Sequence, residues 1–166
     1  MSGSLTDRGL AAPRGRTKRE VAALQAALAA EQAASYGYGI VGAHLTGSRF
    51  AAAFADSIAH QRARDSLTAM ITARGDQARP AAPAYRMPIA VHTPAQARSL
   101  AIVLEQRVTA AYLGLVALPE PTLRQFGADQ MRSAAVRAAR WGARAQAFPG
   151  LPASSLRRPG QSPAAG

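Results

Sequence analysis

The sequence predicts an all-α protein, an antiparallel four-helix bundle made of two helical hairpins joined by a long crossover, and three observations carry that reading. Apolar residues recur at alternating steps of three and four in four separate stretches. The links between these stretches are short, then long, then short, which suits two antiparallel hairpins. The first and third stretches also share a signature, Glu31-Gln32 followed by Tyr38 and Glu105-Gln106 followed by Tyr112.

Residues 1–19 are rich in Gly, Ser and Arg without periodicity, so they read as a disordered basic arm. The first helix spans 20–45, with Val21, Leu24, Leu28, Glu31, Ser35, Tyr38, Gly42 and Leu45 on its inward stripe. Gly47 and Ser48 turn the chain into a second helix that runs to Arg74, where Gly75 supplies a stop. Its expected inward face holds Phe50, Phe54, Ser57, Gln61, Leu67 and Ile71, with His60 among them and Asp56 outside. Residues 75–92 contain Pro80, Pro83 and Pro88 and follow neither period, so they form the long crossover.

Thr93-Pro94 is a helix start, a capping hydroxyl followed by proline at the first helical position. The third helix continues through Leu118 and ends at Pro119 and Pro121, with Glu105 on a stripe shared with Ala101, Val108 and Tyr112. The fourth spans 122–147, with Leu123, Met131, Ala134, Ala138, Trp141 and Ala145 inward and Arg132, Arg137, Arg140 and Arg144 on the far side, Arg137 lying over Trp141. Phe148-Pro149-Gly150-Leu151-Pro152 terminates it, leaving one domain over 20–152 and a disordered tail over 153–166. Each helix is roughly 37–40 Å long at 1.5 Å per residue, so the four match for side-by-side packing.

The 166 residues include no Cys, which excludes disulfides, zinc-thiolate sites and iron–sulfur clusters. The net charge of +11 invites a nucleic-acid reading, but residues 1–19 hold +4 of it and residues 150–166 another +2. All basic residues but Lys18 are Arg, and no nucleic-acid-reading motif accompanies them. Direct nucleic-acid binding is therefore the least favoured class. No uninterrupted apolar run reaches the ~20 residues needed to cross a bilayer, so the expectation is a soluble, cytoplasmic protein without membrane contact.

A glutamate on an apolar stripe needs a partner, because a buried carboxylate costs several kcal/mol unless it is paired, hydrogen-bonded or metal-bound. Ferritin-like di-iron proteins place one Glu on each of two helices and a Glu-x-x-His pair on each of the others. Glu31 and Glu105 fill the single-glutamate positions. His60 supplies one imidazole, but Ser57 stands where its companion carboxylate belongs. Aligning Asp129 with Asp56 puts Gln130 and Ser133 where the remaining Glu and His are required. The set shrinks to Glu31, His60 and Glu105, enough for a single iron or manganese ion, with Asp56 one turn before His60 to orient the imidazole. The competing reading needs no metal: His60 or Arg64 neutralises both glutamates, and the hydroxyls of Tyr38 and Tyr112 complete their hydrogen bonds. Losing three of six ligands removes the two-metal chemistry and favours this second reading.

Gly37, Gly39 and Gly42 spell the G-x-G-x-x-G dinucleotide pattern, yet they follow a helical stripe rather than a strand, so they read as room for a neighbouring helix or a local kink. No serine sits in a nucleophile elbow, and hydrolase chemistry is unsupported.

Several segments together carry a resemblance. They are Leu28-Ala-Ala-Glu31, Tyr36-Gly37-Tyr38-Gly39, Val41-Gly42-Ala43-His44-Leu45, Ala84-Tyr85 near Pro88, Ala135-Val136-Arg137 with Trp141, and Ala147-Phe148-Pro149-Gly150-Leu151-Pro152. Over about residues 20–152 the chain resembles the uncharacterised actinobacterial ferritin-like domain family. The resemblance implies a ferritin-like four-helix fold and no established activity. Gln32 stands where that family is expected to carry a histidine, which takes a ligand from any metal site carried over. Two functions follow: a non-catalytic ferritin-like domain with a degenerate di-iron site, acting through packing as a homodimer, or a metal-binding oxidoreductase using Glu31, His60 and Glu105.

Overall fold

The computed structural model of the chain describes residues 11–144, which form four α-helices and no strand. They are α1 (Ala11–Ala43), α2 (Gly47–Thr72), α3 (Pro94–Val116) and α4 (Pro121–Trp141). Residues 1–10 of the expected basic arm, the last turn expected of the fourth helix, the Phe148–Pro152 terminator and the tail lie outside the described residues. The rest of that arm departs from expectation, because α1 begins at Ala11 rather than near residue 20.

Local chemistry fixes the other helix ends. Thr93 accepts a hydrogen bond from the Gln96 N–H at 3.2 Å, and the Gln96 side-chain oxygen in turn accepts one from the N–H of His92 at 2.9 Å, a variant of the capping box that starts α3. Pro121 is the first residue of α4, not part of the stop before it. The Glu120 carboxylate accepts from the N–H groups of Thr122 and Leu123, and the latter bond is chiefly what holds its pKa below the usual range. α4 ends at Trp141, earlier than its periodicity suggests, since Gly142 adopts a left-handed φ of 106° and turns the chain out of the helix.

The helices pack α1 on α2, α1 on α3 and α3 on α4. The pairing of α1 with α3 is antiparallel: Glu31 meets Tyr112 while Tyr38 meets Glu105, so one number rises as the other falls. The connection after α2 runs back along α1. Gln25 donates to the carbonyl of Gln77 and accepts from the N–H of Arg79, Gln32 donates to the carbonyl of Arg79, and the ring of Tyr85 lies 5.5 Å from that of Tyr36. Gly37 gives room where this connection and α3 both close on α1. A Cβ there would stand 2.6 Å from Leu104 Cδ1 and 3.1 Å from Met87 Sδ.

Two apolar clusters fill the interior. One gathers Leu24, Leu28, Leu67, Ile71, Val108, Leu115 and Leu123; the other gathers Val41, Leu45, Ala53, Ala97, Leu100, Leu104 and Trp141. Between them lies a polar layer to which each helix contributes a buried charged residue, Glu31, His60, Glu105 and Arg137, while Glu20 and Asp56 are buried elsewhere on α1 and α2. Two expectations about inward faces fail here. Phe50 and Phe54 are 50% and 61% exposed, and α2 instead buries Ala53, Asp56, His60, Ala63, Leu67 and Ile71. Its first turns are rotated relative to a reading that gives the aromatic rings most weight, because the interior there takes a methyl group and a paired carboxylate. Arg137, placed by its charge on the solvent side of α4, is 8% exposed and points inward.

α3 is long and apolar enough to cross a bilayer by length and composition, although Glu105 and Arg107 interrupt its apolar run. The interior helix of a globular domain meets the same description, and α3 buries Glu105 and eight further residues among the other helices.

Candidate functional site

The polar layer begins with the two signature glutamates, carried to one level by the antiparallel pairing of α1 and α3. Each glutamate accepts a hydrogen bond from the tyrosine of the other helix: Tyr112 Oη donates to Glu31 Oε1 at 2.8 Å, and Tyr38 Oη to Glu105 Oε1 at 2.6 Å. The seven-residue spacing within each helix is two turns, so glutamate and tyrosine share a face, and reversing the helix brings each opposite the other's partner. Both hydroxyls are buried. Burial foremost, then the charge of the neighbouring carboxylate, raises each tyrosine pKa far above its ordinary value, so both remain donors.

His60 lies between the carboxylates. Its Nδ1 is 2.6 Å from Glu31 Oε2 and its Nε2 is 3.0 Å from Glu105 Oε1, with all three side chains fully buried. Two carboxylate acceptors demand two N–H groups, so the ring is an imidazolium. Burial alone would lower its pKa; the hydrogen bonds to Glu105 and Glu31 outweigh that and lift it to about 9. Arg137 completes the layer from α4, its Nε donating to Glu105 Oε1 at 2.9 Å. Burial would raise the pKa of Glu105, but the hydrogen bond and charge of His60, joined by Arg137, hold it below the usual carboxylate range. The layer is electrically neutral, two carboxylates against an imidazolium and a guanidinium.

The acceptors are used unevenly. Three donors converge on Glu105 Oε1, whereas Glu105 Oε2 is buried with no hydrogen-bond partner, as is the hydroxyl of Ser35 one turn before Tyr38. One turn from His60, a second cluster closes the end of the layer: Asp56 accepts from Arg140 at 2.7 Å and from the Trp141 indole at 2.9 Å.

The residues expected at the site therefore divide. Glu31, His60, Glu105, Tyr38 and Tyr112 meet as anticipated. Asp56 is buried nearby but serves Arg140 and Trp141, not the imidazole. Arg64 does not reach the centre, because it pairs with Asp65 on the surface at 2.9 Å. Gln130 and Ser133 are only half-buried, and Ser57, also half-buried, accepts from Gln61 at 3.5 Å. Arg137 is the functional residue that sequence reasoning missed. Charge balance could have found it, since one imidazolium leaves two buried carboxylates short of a cation, and α4 is the helix that had supplied nothing.

A metal ion between an imidazole nitrogen and a carboxylate oxygen, at ~2.1 Å from each, holds those atoms about 3 Å apart or more. The 2.6 Å between His60 Nδ1 and Glu31 Oε2 is a hydrogen-bond distance with no place for an ion. Among the described residues no three His, Asp or Glu side chains are arranged to hold a metal. As they stand, these side chains fit a salt-bridged cluster and not a coordination sphere.

Residues 23–153 match the family described as a domain of unknown function (DUF4439). The chain belongs to that family. This DUF4439 domain is also similar to a crystal structure of a conserved hypothetical protein, rv2844, from Mycobacterium tuberculosis, at 34% sequence identity and a TM-score of 0.72. The similarity covers 75% of this chain and 95% of that one. No curated protein matches the chain.

Proposed function

We propose that the chain is a non-catalytic ferritin-like domain in which an internal salt-bridge cluster takes the place of a di-iron centre. The ferritin-like reading is supported by the antiparallel pairing of α1 with α3 and by the connection that travels back along α1, the crossover such bundles use. One observation carries the rest: both nitrogens of His60 face carboxylate oxygens, so the imidazole has no lone pair turned toward a metal. Arg137 then supplies the second positive charge. Such a domain acts through its surface. Phe50 and Phe54, exposed one turn apart on α2, support a homodimer, which sedimentation analysis of the parent and of Phe54→Ser tests. The same reading expects a soluble, cytoplasmic protein.

Metal analysis of protein purified without chelators tests the central claim. The expected result is no stoichiometric iron, manganese or zinc. A full equivalent that disappears in both Glu31→Ala and Glu105→Ala would overturn it. The unpartnered Glu105 Oε2 favours a second reading, a metal-binding oxidoreductase using Glu31, His60 and Glu105 around one iron or manganese ion. Iron-dependent oxygen consumption by the purified chain would establish that alternative.

A further inference from the structure

α1 projects beyond the end of α2. Glu31 meets His60 and Glu20 meets Arg74, so α2, which stops at Thr72, ends near the level of Glu20 while α1 begins at Ala11. Gly75, left-handed at a φ of 75°, then turns the chain back along α1. Gln25 sets how closely the chain returns, because its amide donates to the Gln77 carbonyl at 2.7 Å and accepts from the Arg79 N–H at 3.1 Å. Between this strap and the projecting turns lies a cleft of about 670 Å³, within the range of small-molecule sites. Lys18, Val21 and Ala22 line it from one face of α1, and Arg74, Asp76 and Arg79 line it from the strap. The charges on these walls are used unevenly. Arg74 is taken up by Glu20 at 3.0 Å and by the Met70 carbonyl at 3.0 Å, and Asp76 accepts from the N–H of Gln77 within its own turn at 2.8 Å. The side chains of Lys18 and Arg79 have no ion pair or hydrogen bond among the described residues.

We propose that this cleft binds a small amphipathic anion, a single carboxylate or phosphate group on an apolar body, with Lys18 and Arg79 taking the anionic group and Val21 and Ala22 the body. Two unpaired cations on opposite walls of one cleft repel each other, and an anion between them relieves that repulsion and is attracted by both. Hydrogen bonds from charged donors are the strong ones, and both donors here are uncommitted. The apolar residues decide against a bare ion, because a cleft of this size walled partly by Val21 and Ala22 gains from burying hydrocarbon as well as charge. The small side chain of Ala22 leaves that space open. None of these residues belongs to the polar layer, so the proposal does not depend on how that layer is read.

The test follows the fluorescence of anilinonaphthalene sulfonate, itself an apolar body with one anionic group, on the full chain. Its displacement is measured with octanoate, octyl phosphate, inorganic phosphate and octyl glucoside below their micellar concentrations. The parent is compared with Lys18→Gln combined with Arg79→Gln, with Ala22→Trp, and with a control of equal charge loss, Arg62→Gln combined with Arg107→Gln. One probe per chain is expected on the parent and the control, displaced by octanoate and octyl phosphate, the better competitor identifying the preferred anionic group. The Lys18 and Arg79 double variant should bind on the order of a hundredfold more weakly, about tenfold for each charged donor lost, and Ala22→Trp, which fills the cleft, should not bind. Lys18, Ala22 and Arg79 are exposed, so these chains should fold, and octyl phosphate should raise the Tm of the parent and the control but not of the other two. Binding that survives in the double variant or in Ala22→Trp would come from another apolar surface, such as Phe50 and Phe54, and overturns the proposal. So does a parent that binds no probe, or displacement by inorganic phosphate or octyl glucoside as strong as that by octyl phosphate.

Discussion

The hairpin of α1 and α2 and the hairpin of α3 and α4 place a glutamate at the same point of their first helix and answer it differently from their second. In the first, Glu31 is met by His60, a short and rigid group that is fully buried and also reaches Glu105. In the second, Glu105 is met by Arg137, whose long stem brings its charge in from near the surface and which reaches that carboxylate by a single bond. With Asp129 aligned on Asp56, His60 corresponds to Ser133, so Arg137 acts from the next turn of α4. The difference shows which positions are constrained. The first helices exchange tyrosine hydroxyls reciprocally, so each needs the other's residues. The second helices need only deliver positive charge, and side chains of different length can do that from different turns.

The comparison breaks most completely at His60, because one imidazolium serves both halves. His60→Leu leaves two buried carboxylates sharing one guanidinium, and breaking such a pair from one side costs about 3–5 kcal/mol. Urea unfolding should show that loss as a lower midpoint, with partial recovery in acid as the unpaired buried charge is neutralised. A loss under 1 kcal/mol would mean that the cation is not what holds the two hairpins together.

The pH dependence follows from the same group, at roughly 3 kcal/mol for a shift from 6.5 to about 9 at 1.36 kcal/mol per unit. A raised histidine pKa contributes stability that is fully present below 6.5 and is lost as pH rises through about 9, because the unfolded chain releases its proton first. Parent stability should therefore fall across that window, and the fall should be absent in His60→Leu. Proton NMR checks it directly: the His60 ring should stay protonated at pH 8. Glu105, its pKa lowered, works in the opposite sense and withdraws stability as pH falls through the acidic range.

Arg137→Met tests the second half alone. Glu105 retains Tyr38 and His60 as donors and the charge of the imidazolium, so the expected cost is about 2 kcal/mol, below the range for a carboxylate left without any cation. If it equals the cost of His60→Leu, the two cations are equivalent and the proposed asymmetry between the hairpins is wrong.

Much of this arrangement was legible in the sequence, and what was not has physical causes. Glu31, Glu105, Tyr38 and Tyr112 are visible because a charge on an apolar stripe is costly and its repetition is improbable. His60 is visible as the one imidazole on an inward face. The Thr93-Pro94 start and the long connection follow from capping and proline chemistry. Arg137 and Asp56 were hidden because hydropathy assigns every charge to solvent, and their pairing with Glu105 and with Arg140 exists only once the helices are docked. Phe50 and Phe54 misled in the opposite direction: ring size gives no phase when Ala53, between them, is the residue that fills the interior. The strap made by Gln25 and Gln32 could not be read at all, since their partners are backbone groups of the connection.

The two tyrosines sharpen the comparison at the smallest scale. Tyr112 is the single donor to Glu31 Oε1, so Tyr112→Phe leaves that buried oxygen bare and should cost about 2 kcal/mol, within the range for a hydrogen bond to a charged group. Tyr38 is one of three donors on Glu105 Oε1, and Tyr38→Phe leaves His60 and Arg137 in place. Its cost should be about 1 kcal/mol, since an oxygen with two lone pairs gains less from its third donor than from its first. Urea midpoints of the two variants at pH 6, where His60 is charged in both, measure the difference directly. In an Arg137→Met background Glu105 loses a donor, so Tyr38→Phe should cost more there than in the parent, while Tyr112→Phe should change little. Equal costs in the parent would show that hydroxyls from α1 and α3 are exchanged on equal terms, whatever cation the second helix supplies.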